Sequence, residues 1–232
     1  MAFDVKITTF FRPLDLIAPF ICRGCGALGE VLCERCKNYN ISAISKVCPR
    51  CAEKLSDCKC AMPVYAVSKR EGILVDMTED YKYKSIRRVA EVLAELMDQA
   101  ITIGGTERRK AVSADEQVVV VPLPTISKHV RERGFDHTLL LAKKLAKRRK
   151  GWKVQKLLAR RNNTVQVGAD GDKRRIQAKE AYRVNKAIKV DPRKTYLLVD
   201  DVWTTGASIE AAAEVLKSAG AEKLAATVVL MP

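Results

Sequence analysis

All eight cysteines of this 232-residue chain fall between Cys22 and Cys60, and none follows. They come as CxxC at Cys22 and Cys25, CxxC at Cys33 and Cys36, CxxC at Cys48 and Cys51, and CxC at Cys58 and Cys60. A two-residue spacer lets one turn present both sulfurs to one ion, and eight thiolates make two tetrahedral four-cysteine zinc sites. Gly24 and Gly26 suit the tight turns that bring backbone amides towards the sulfurs. Four thiolates leave no open position for water, so the expected role of the metal is structural. A stretch of about 40 residues also has too little core to fold without such help. Sequential grouping (Cys22, Cys25, Cys33, Cys36, then Cys48, Cys51, Cys58, Cys60) needs only short loops and is preferred, although the spacing leaves an interleaved arrangement open.

Clustered cysteines without a secretion signal point to a reducing, cytoplasmic compartment. The apolar N-terminal stretch from Thr8 to Ile21 is broken by Arg12, Pro13, Asp15 and Pro19 and is shorter than the roughly 20 residues that span a bilayer. No transmembrane segment is therefore expected. With 47% hydrophobic residues the chain can build a sizeable core, which excludes the disordered and low-complexity classes. The net charge is +15. It falls to roughly +11 once each four-thiolate zinc centre contributes about two negative charges, and so still favours a polyanionic partner.

Composition changes at Met62 and Pro63, which divides the chain into a double zinc-ribbon segment, 1–62, and a larger domain, 63–232. In the larger domain, Val64 to Ser68 and Gly72 to Met77 read as strands, and Ile86, Val89, Ala90, Leu93, Leu96 and Met97 recur at the spacing of a helix over about Ser85 to Ala100. Gly104 to Glu116 reads as a loop. Gln117 to Pro122 is a continuous β-branched run of the buried parallel kind. Leu139, Leu140, Ala142, Leu145 and Ala146 mark a second helix, and Lys153 to Leu158 and Ala181 to Val184 further strands. Thr195 to Asp200 is a strand, Ile209 to Ala219 a helix and Ala225 to Leu230 the last strand. Alternating strands and helices give an α/β fold with a mostly parallel sheet.

Tyr196 to Ser208 reads YLLVDDVWTTGAS: a buried strand, two carboxylates at its end, a loop of Thr, Gly and Ser, then a helix. A loop entering a helix N-terminus offers unpaired amides and a positive dipole end, and Thr204, Thr205, Gly206, Ala207 and Ser208 add hydroxyls and close backbone approach. That set suits a phosphomonoester, while Asp200 and Asp201 can accept hydrogen bonds from ribose hydroxyls at the carboxyl end of a strand. An ordinary capped helix needs one such residue, not this ordered set. Trp203 reads as packing on the loop.

This stretch resembles the phosphoribosyl pyrophosphate (PRPP) signature of type I phosphoribosyltransferases. Val121 to His137, VPLPTISKHVRERGFDH, resembles a second hallmark, that of the ComF family: a strand and Pro-containing loop followed by R-x-R-G-F-N-Q. Leu158 to Val184 is similar to the family's third segment, and with the cysteine module the resemblance covers nearly the whole chain. It implies a type I phosphoribosyltransferase-like fold and a PRPP or ribose 5-phosphate ligand bound with Mg2+. It places Arg131, Arg133 and Gly134 at the pyrophosphate loop, and Phe135, Gln166 and Arg174 at family-motif positions. Asp136, His137 and Gln177 stand where Asn, Gln and Asn are usual. The resemblance further implies a role in natural competence and the handling of incoming single-stranded DNA, with other competence proteins as partners through the zinc module at the inner membrane.

Two functions follow. One is phosphoribosyl transfer with no catalytic residue or acceptor identified; the other is a non-enzymatic single-stranded DNA-binding or PRPP-sensing adaptor. For the second, Ser127 to Arg161 holds thirteen Lys or Arg against Glu132 and Asp136. Lys143, Lys144, Lys147, Arg148, Arg149 and Lys150 are the candidates for contact with a phosphate backbone, set against the plainer reading of a solvated helix end. Trp152 and Phe135 could stack a base but read as packing residues. His129 and His137 read as solvated loop side chains. Residues 1–62 carry a small positive balance that two zinc centres would cancel, so protein docking suits that segment better than DNA.

Overall fold

The apolar runs that read as buried strands lie side by side. The computed structural model describes residues 19–42, 44–84, 86–107, 112, 117–161, 181–185 and 187–232. Its strands are β1 (Val64–Lys69), β2 (Val118–Pro122), β3 (Lys153–Val154), β4 (Leu158–Arg160), β5 (Tyr182–Val184), β6 (Thr195–Val199) and β7 (Lys223–Met231). Its helices are α1 (Glu34–Ser42), α2 (Ile73–Tyr83), α3 (Val89–Glu107), α4 (Ser127–Arg133), α5 (His137–Ala146) and α6 (Ala207–Ser218). Five strands form one sheet in the order β1-β7-β6-β2-β3, every pair parallel. β4 and β5 form a separate antiparallel ribbon.

Both faces of a parallel sheet must be covered, and the period-two alternation of strand side chains sorts them into two cores. Val118, Val120, Leu197, Val199, Tyr65 and Val67 point into the core shared with α2, α3 and α5. Val119, Val121, Tyr196, Leu198, Val64 and Ala66 point into the core shared with α6 and the β4–β5 ribbon. The cysteine-rich segment joins the first core through Cys22, Val31, Leu32 and Ile44. Among the described residues, no helix is long and apolar enough to cross a membrane.

The fold is α/β with a parallel sheet, as expected, but several elements differ from the sequence reading. The segment Gly72–Met77 is not a strand: Ile73–Tyr83 is a helix whose buried Leu74, Met77, Thr78 and Tyr81 follow the i, i+3, i+4, i+7 spacing of one helical face. α3 runs on to Glu107, into the stretch read as a loop. The stretch Lys153–Leu158 divides, because the chain leaves the main sheet after Val154 and joins the ribbon at Leu158. Ser127–Arg133, expected as loop, is a short helix closed by Gly134 in the left-handed conformation, φ 71°. Gln166, Arg174 and Gln177 lie outside the described residues.

Two adjacent glycines in α3 give a paired test. A Cβ at Gly104 would stand 2.5 Å from the Tyr65 ring and 3.2 Å from Leu55, whereas at Gly105 it would meet nothing nearer than 3.9 Å. Gly104→Ala should destabilise by about 1–3 kcal/mol through overpacking, and Gly105→Ala should be neutral or stabilise by up to about 1 kcal/mol. Denaturant titration of the two variants checks this.

Candidate functional site

The connection after β2 leads to β3 on one side, and the connection after β6 leads to β7 on the other. The loops beyond the carboxyl ends of these two neighbouring strands therefore diverge and leave a crevice, the place where open α/β sheets take ligands. Leu123 and the α4 loop form one wall, and Asp200 to Gly206 form the other. The second wall is pinned to the sheet: the Asp200 amide donates to Thr227 O at 3.2 Å, and the Asp201 carbonyl accepts from the amides of Val229 and Leu230, each at 3.0 Å.

Asp200 and Asp201 thus sit together at a fixed place, and the chain answers their charge from distant elements. Asp201 is 4% exposed, and its Oδ2 is ion-paired with Lys82 of α2. The same oxygen lies 3.6 Å from His137 Nε2, at the start of α5. Burial pushes Asp200 up to about 6, against the charges of Lys82 and Arg160. Lys82 is pushed down by its own burial, against the pull of Asp200.

His137 is not a solvated loop residue. It is 6% exposed, and Tyr81 Oη donates to its carbonyl at 2.5 Å. Its Nδ1 accepts from Arg133 Nη1 at 3.0 Å. A guanidinium only donates, so the neutral ring carries its proton on Nε2, facing Asp201. Burial, followed by the charges of Arg133 and Lys82, pushes His137 down to about 3. Asp136 is the N-cap of α5: it accepts from the Leu139 amide at 3.2 Å, and from Thr125 Oγ1 and Thr138 Oγ1 at 3.1 and 3.0 Å. Of the loop residues, Arg133 reaches the carboxylates through His137. Arg131 and Gly134 are exposed on the rim. Phe135 packs on Tyr81, ring centroids 5.5 Å apart, with the Arg87 guanidinium over its ring at 5.1 Å.

On the opposite side, Gly206 is the N-cap of α6 at φ 76° and makes no side-chain cap, leaving Thr204, Thr205 and Ser208 exposed at the helix entrance. Only glycine fits there, because a Cβ would fall 2.2 Å from the buried Trp203 ring. Trp203 is therefore the floor on which the loop rests. The β4–β5 ribbon closes this side: the buried Tyr182 lies beside Ser208, and Arg160 lies over the Tyr182 ring at 5.5 Å. Arg160 Nε is buried with no hydrogen-bond acceptor among the described residues.

Lys82 lay outside every motif of the sequence, whereas Thr125, Arg160 and Tyr182 fall within the stretches Val121 to His137 and Leu158 to Val184 but were not singled out as site residues. Lys82 was hidden by reading the first part of α2 as a strand; with the helix recognised, it falls one residue after buried Tyr81, at the end that faces the sheet. Direct metal binding by Asp200, Asp201 and His137 is sterically feasible, since one ligand atom of each lies within 4.8 Å of the others. Yet Lys82 holds Asp201 and the His137 proton faces it, so these groups suit a cation carried by a ligand better than one bound directly.

The basic segment is divided in use. Lys144 is ion-paired with Glu91, Arg149 Nε lies 2.5 Å from Asp98, and Arg148 lies 3.8 Å from Asp98, all acids of α3. Lys143, Lys147 and Lys150 are exposed. Trp152 is buried beneath Arg149, 4.9 Å from its guanidinium, and is a packing residue.

The cysteines gather as two clusters, Cys22, Cys25, Cys33 and Cys36, and Cys48, Cys51, Cys58 and Cys60, with sulfurs within 4.8 Å of one another in each. The grouping is sequential. Cys25 and Cys33 sulfurs are 3.6 Å apart and Cys51 and Cys58 3.5 Å, close to the spacing of about 3.8 Å around a tetrahedral zinc. Burial opposes ionisation of Cys22, but the amides of Cys33, Cys25 and Gly24 outweigh it and bring the thiol down to about 6. Burial and the neighbouring thiols push Cys36 and Cys60 up to about 12. A cation bound among such crowded thiols displaces their protons to solvent, and both clusters could hold zinc. In comparisons with known proteins, no family model and no curated sequence matches the chain.

The buried imidazole gives a pH prediction. His137 should show no titration between pH 5 and 8, with its proton on Nε2, in long-range nitrogen–proton NMR spectra. The unfolded chain takes up a proton near the ordinary imidazole value of 6.5 and the folded chain does not. This group's contribution to stability should therefore be lost as pH falls from 6.5 towards 3. His137→Gln should remove that dependence in the zinc-loaded protein over the part of the range where zinc stays bound.

Proposed function

We propose that the crevice binds the ribose and phosphate of PRPP or ribose 5-phosphate, and that the chain is a ComF-type protein with a type I phosphoribosyltransferase-like fold. The observation that carries this reading is the meeting, at the switch point of a parallel sheet, of a carboxylate pair with a hydroxyl-lined helix entrance whose N-cap is a glycine. The amides of α6 and the hydroxyls of Thr204, Thr205 and Ser208 receive the 5'-phosphate. Asp200 and Asp201 accept from the ribose hydroxyls, which compete with Lys82 for Asp201.

In transfer, a nucleophile displaces pyrophosphate from the anomeric carbon, and the protein's part is positioning and charge neutralisation. Arg131 and Arg133 answer the pyrophosphate. Lys82, released from Asp201 by the ribose, is placed to share that work. Mg2+, when bound with PRPP, draws charge from its phosphate oxygens. Asp200, held near 6 in the free protein, ionises more readily once hydroxyl donors bond it.

A second reading has one observation in its favour: Lys143, Lys147, Lys150, Lys153 and Lys156 are all exposed. In that reading the protein binds single-stranded DNA in natural competence, with the crevice serving as a sensor. Affinity for an oligonucleotide should then fall steeply with salt, and charge reversal at Lys143, Lys147 and Lys150 should weaken it.

Calorimetric titration of Mg2+ and PRPP into the zinc-loaded protein tests the first reading. Saturable binding is expected, at least tenfold weaker in the Asp200→Asn, Asp201→Asn double variant. Absence of binding to the wild-type protein would remove the ribose-phosphate reading and leave the nucleic-acid one.

A further inference from the structure

In both cysteine clusters an arginine lies between the two cysteines of the first CxxC: Arg23 in Cys22-Arg23-Gly24-Cys25, and Arg50 in Cys48-Pro49-Arg50-Cys51. Each reaches out of its knuckle to an element that bears one side of the crevice. Arg23 Nη2 lies 2.5 Å from Asp80 Oδ2 on α2, two residues before Lys82, whose ammonium meets Asp201. Arg50 Nε lies 3.3 Å from Glu210 Oε1 in the first turn of α6, two residues after Ser208.

The two links differ in depth. The Asp80 side chain is 4% exposed, and its ion-pair partners among the described residues are Arg23 and the largely exposed Lys84, 2.8 Å away. Removing Arg23 leaves a buried carboxylate with one solvent-facing cation, a costly state that the end of α2 can relieve only by opening to water. The knuckle backbone also lies on α2: a Cβ at Gly24 would stand 2.6 Å from Cys36 Sγ and 3.5 Å from Ile73, the first residue of that helix. The Arg50–Glu210 pair is about one-third exposed on each side and contributes less.

Between two cysteines on one ion, the position of the intervening backbone is set by the metal. We propose that Arg23 and Arg50 are positioning residues through which metal in the two cysteine clusters sets the crevice. Arg23 holds the end of α2, and so Lys82, against Asp201; Arg50 steadies the first turn of α6 beside the phosphate loop. The inference rests on reading the clusters as zinc sites and the crevice as a ligand site. It makes the cysteine segment part of the ligand site's frame as well as a candidate docking surface.

Hydrogen–deuterium exchange of the full-length, zinc-loaded protein without ligand tests it, with β2 as internal reference. Arg23→Ala should speed exchange several-fold in 79–84 and leave two zinc ions per chain, while Arg23→Lys, which keeps the ion pair, should restore slow exchange. Arg50→Ala should give a smaller change confined to 206–212, and chelation of zinc should move both segments. In the calorimetric titration, Arg23→Ala should weaken PRPP binding at least fivefold. Unchanged exchange in both segments, or faster exchange in β2 to the same degree, would overturn the proposal. Because exchange is read without ligand, a wild-type protein that ignores PRPP would defeat the ligand reading and leave this linkage standing; should Arg23→Ala not fold, Arg50→Ala and chelation decide.

Discussion

A strand buried on both faces and paired on both edges can offer polar groups only where it ends. β6 is such a strand: all five of its residues are buried, with β7 and β2 on either side. Its end delivers Asp200 and Asp201 into a place where a carboxylate cannot stay without partners. Lys82 arrives from α2 and His137 from α5, and Tyr81 on α2 donates to the His137 carbonyl, so the same contacts that satisfy Asp201 tie two helices to the sheet. The crevice and the packing around it are one arrangement.

The cysteine segment answers a different constraint. Short loops with few large apolar residues cannot hold themselves, and two clusters of four sulfurs allow metal to do so. What its residues add to the rest is both apolar and ionic. Cys22, Val31, Leu32 and Ile44 enter the core under α2 and α3, and Leu55 sits against Gly104 of α3. Arg23 and Arg50 reach the elements on either side of the crevice.

Much of this was legible in the residues because the physics leaves local marks. VVVVP and TYLLV are continuous apolar runs because both faces of their strands are buried, and the cysteine spacing shows metal geometry directly. The carboxylate pair and the hydroxyl loop were legible for the same reason, being consecutive. The first part of α2 was misread because Ile73, Leu74 and Val75 open it like a strand; its period shows only when Met77, Thr78 and Tyr81 are counted with Leu74. Lys82 and Arg160 were not legible, since each finds its carboxylate across more than a hundred and across forty residues of chain respectively. His137 looked like one loop histidine among polar neighbours, and only the fold shows that it bridges Arg133 and Asp201.

A structure determined with ribose 5-phosphate bound tests the central claim most directly. The account predicts phosphate at the amides of 206–208, ribose hydroxyls on Asp200 and Asp201, and the Lys82 ammonium moved away from Asp201. Sugar phosphate located elsewhere, or a crevice in which Lys82 still holds Asp201 at saturating ligand, would contradict it.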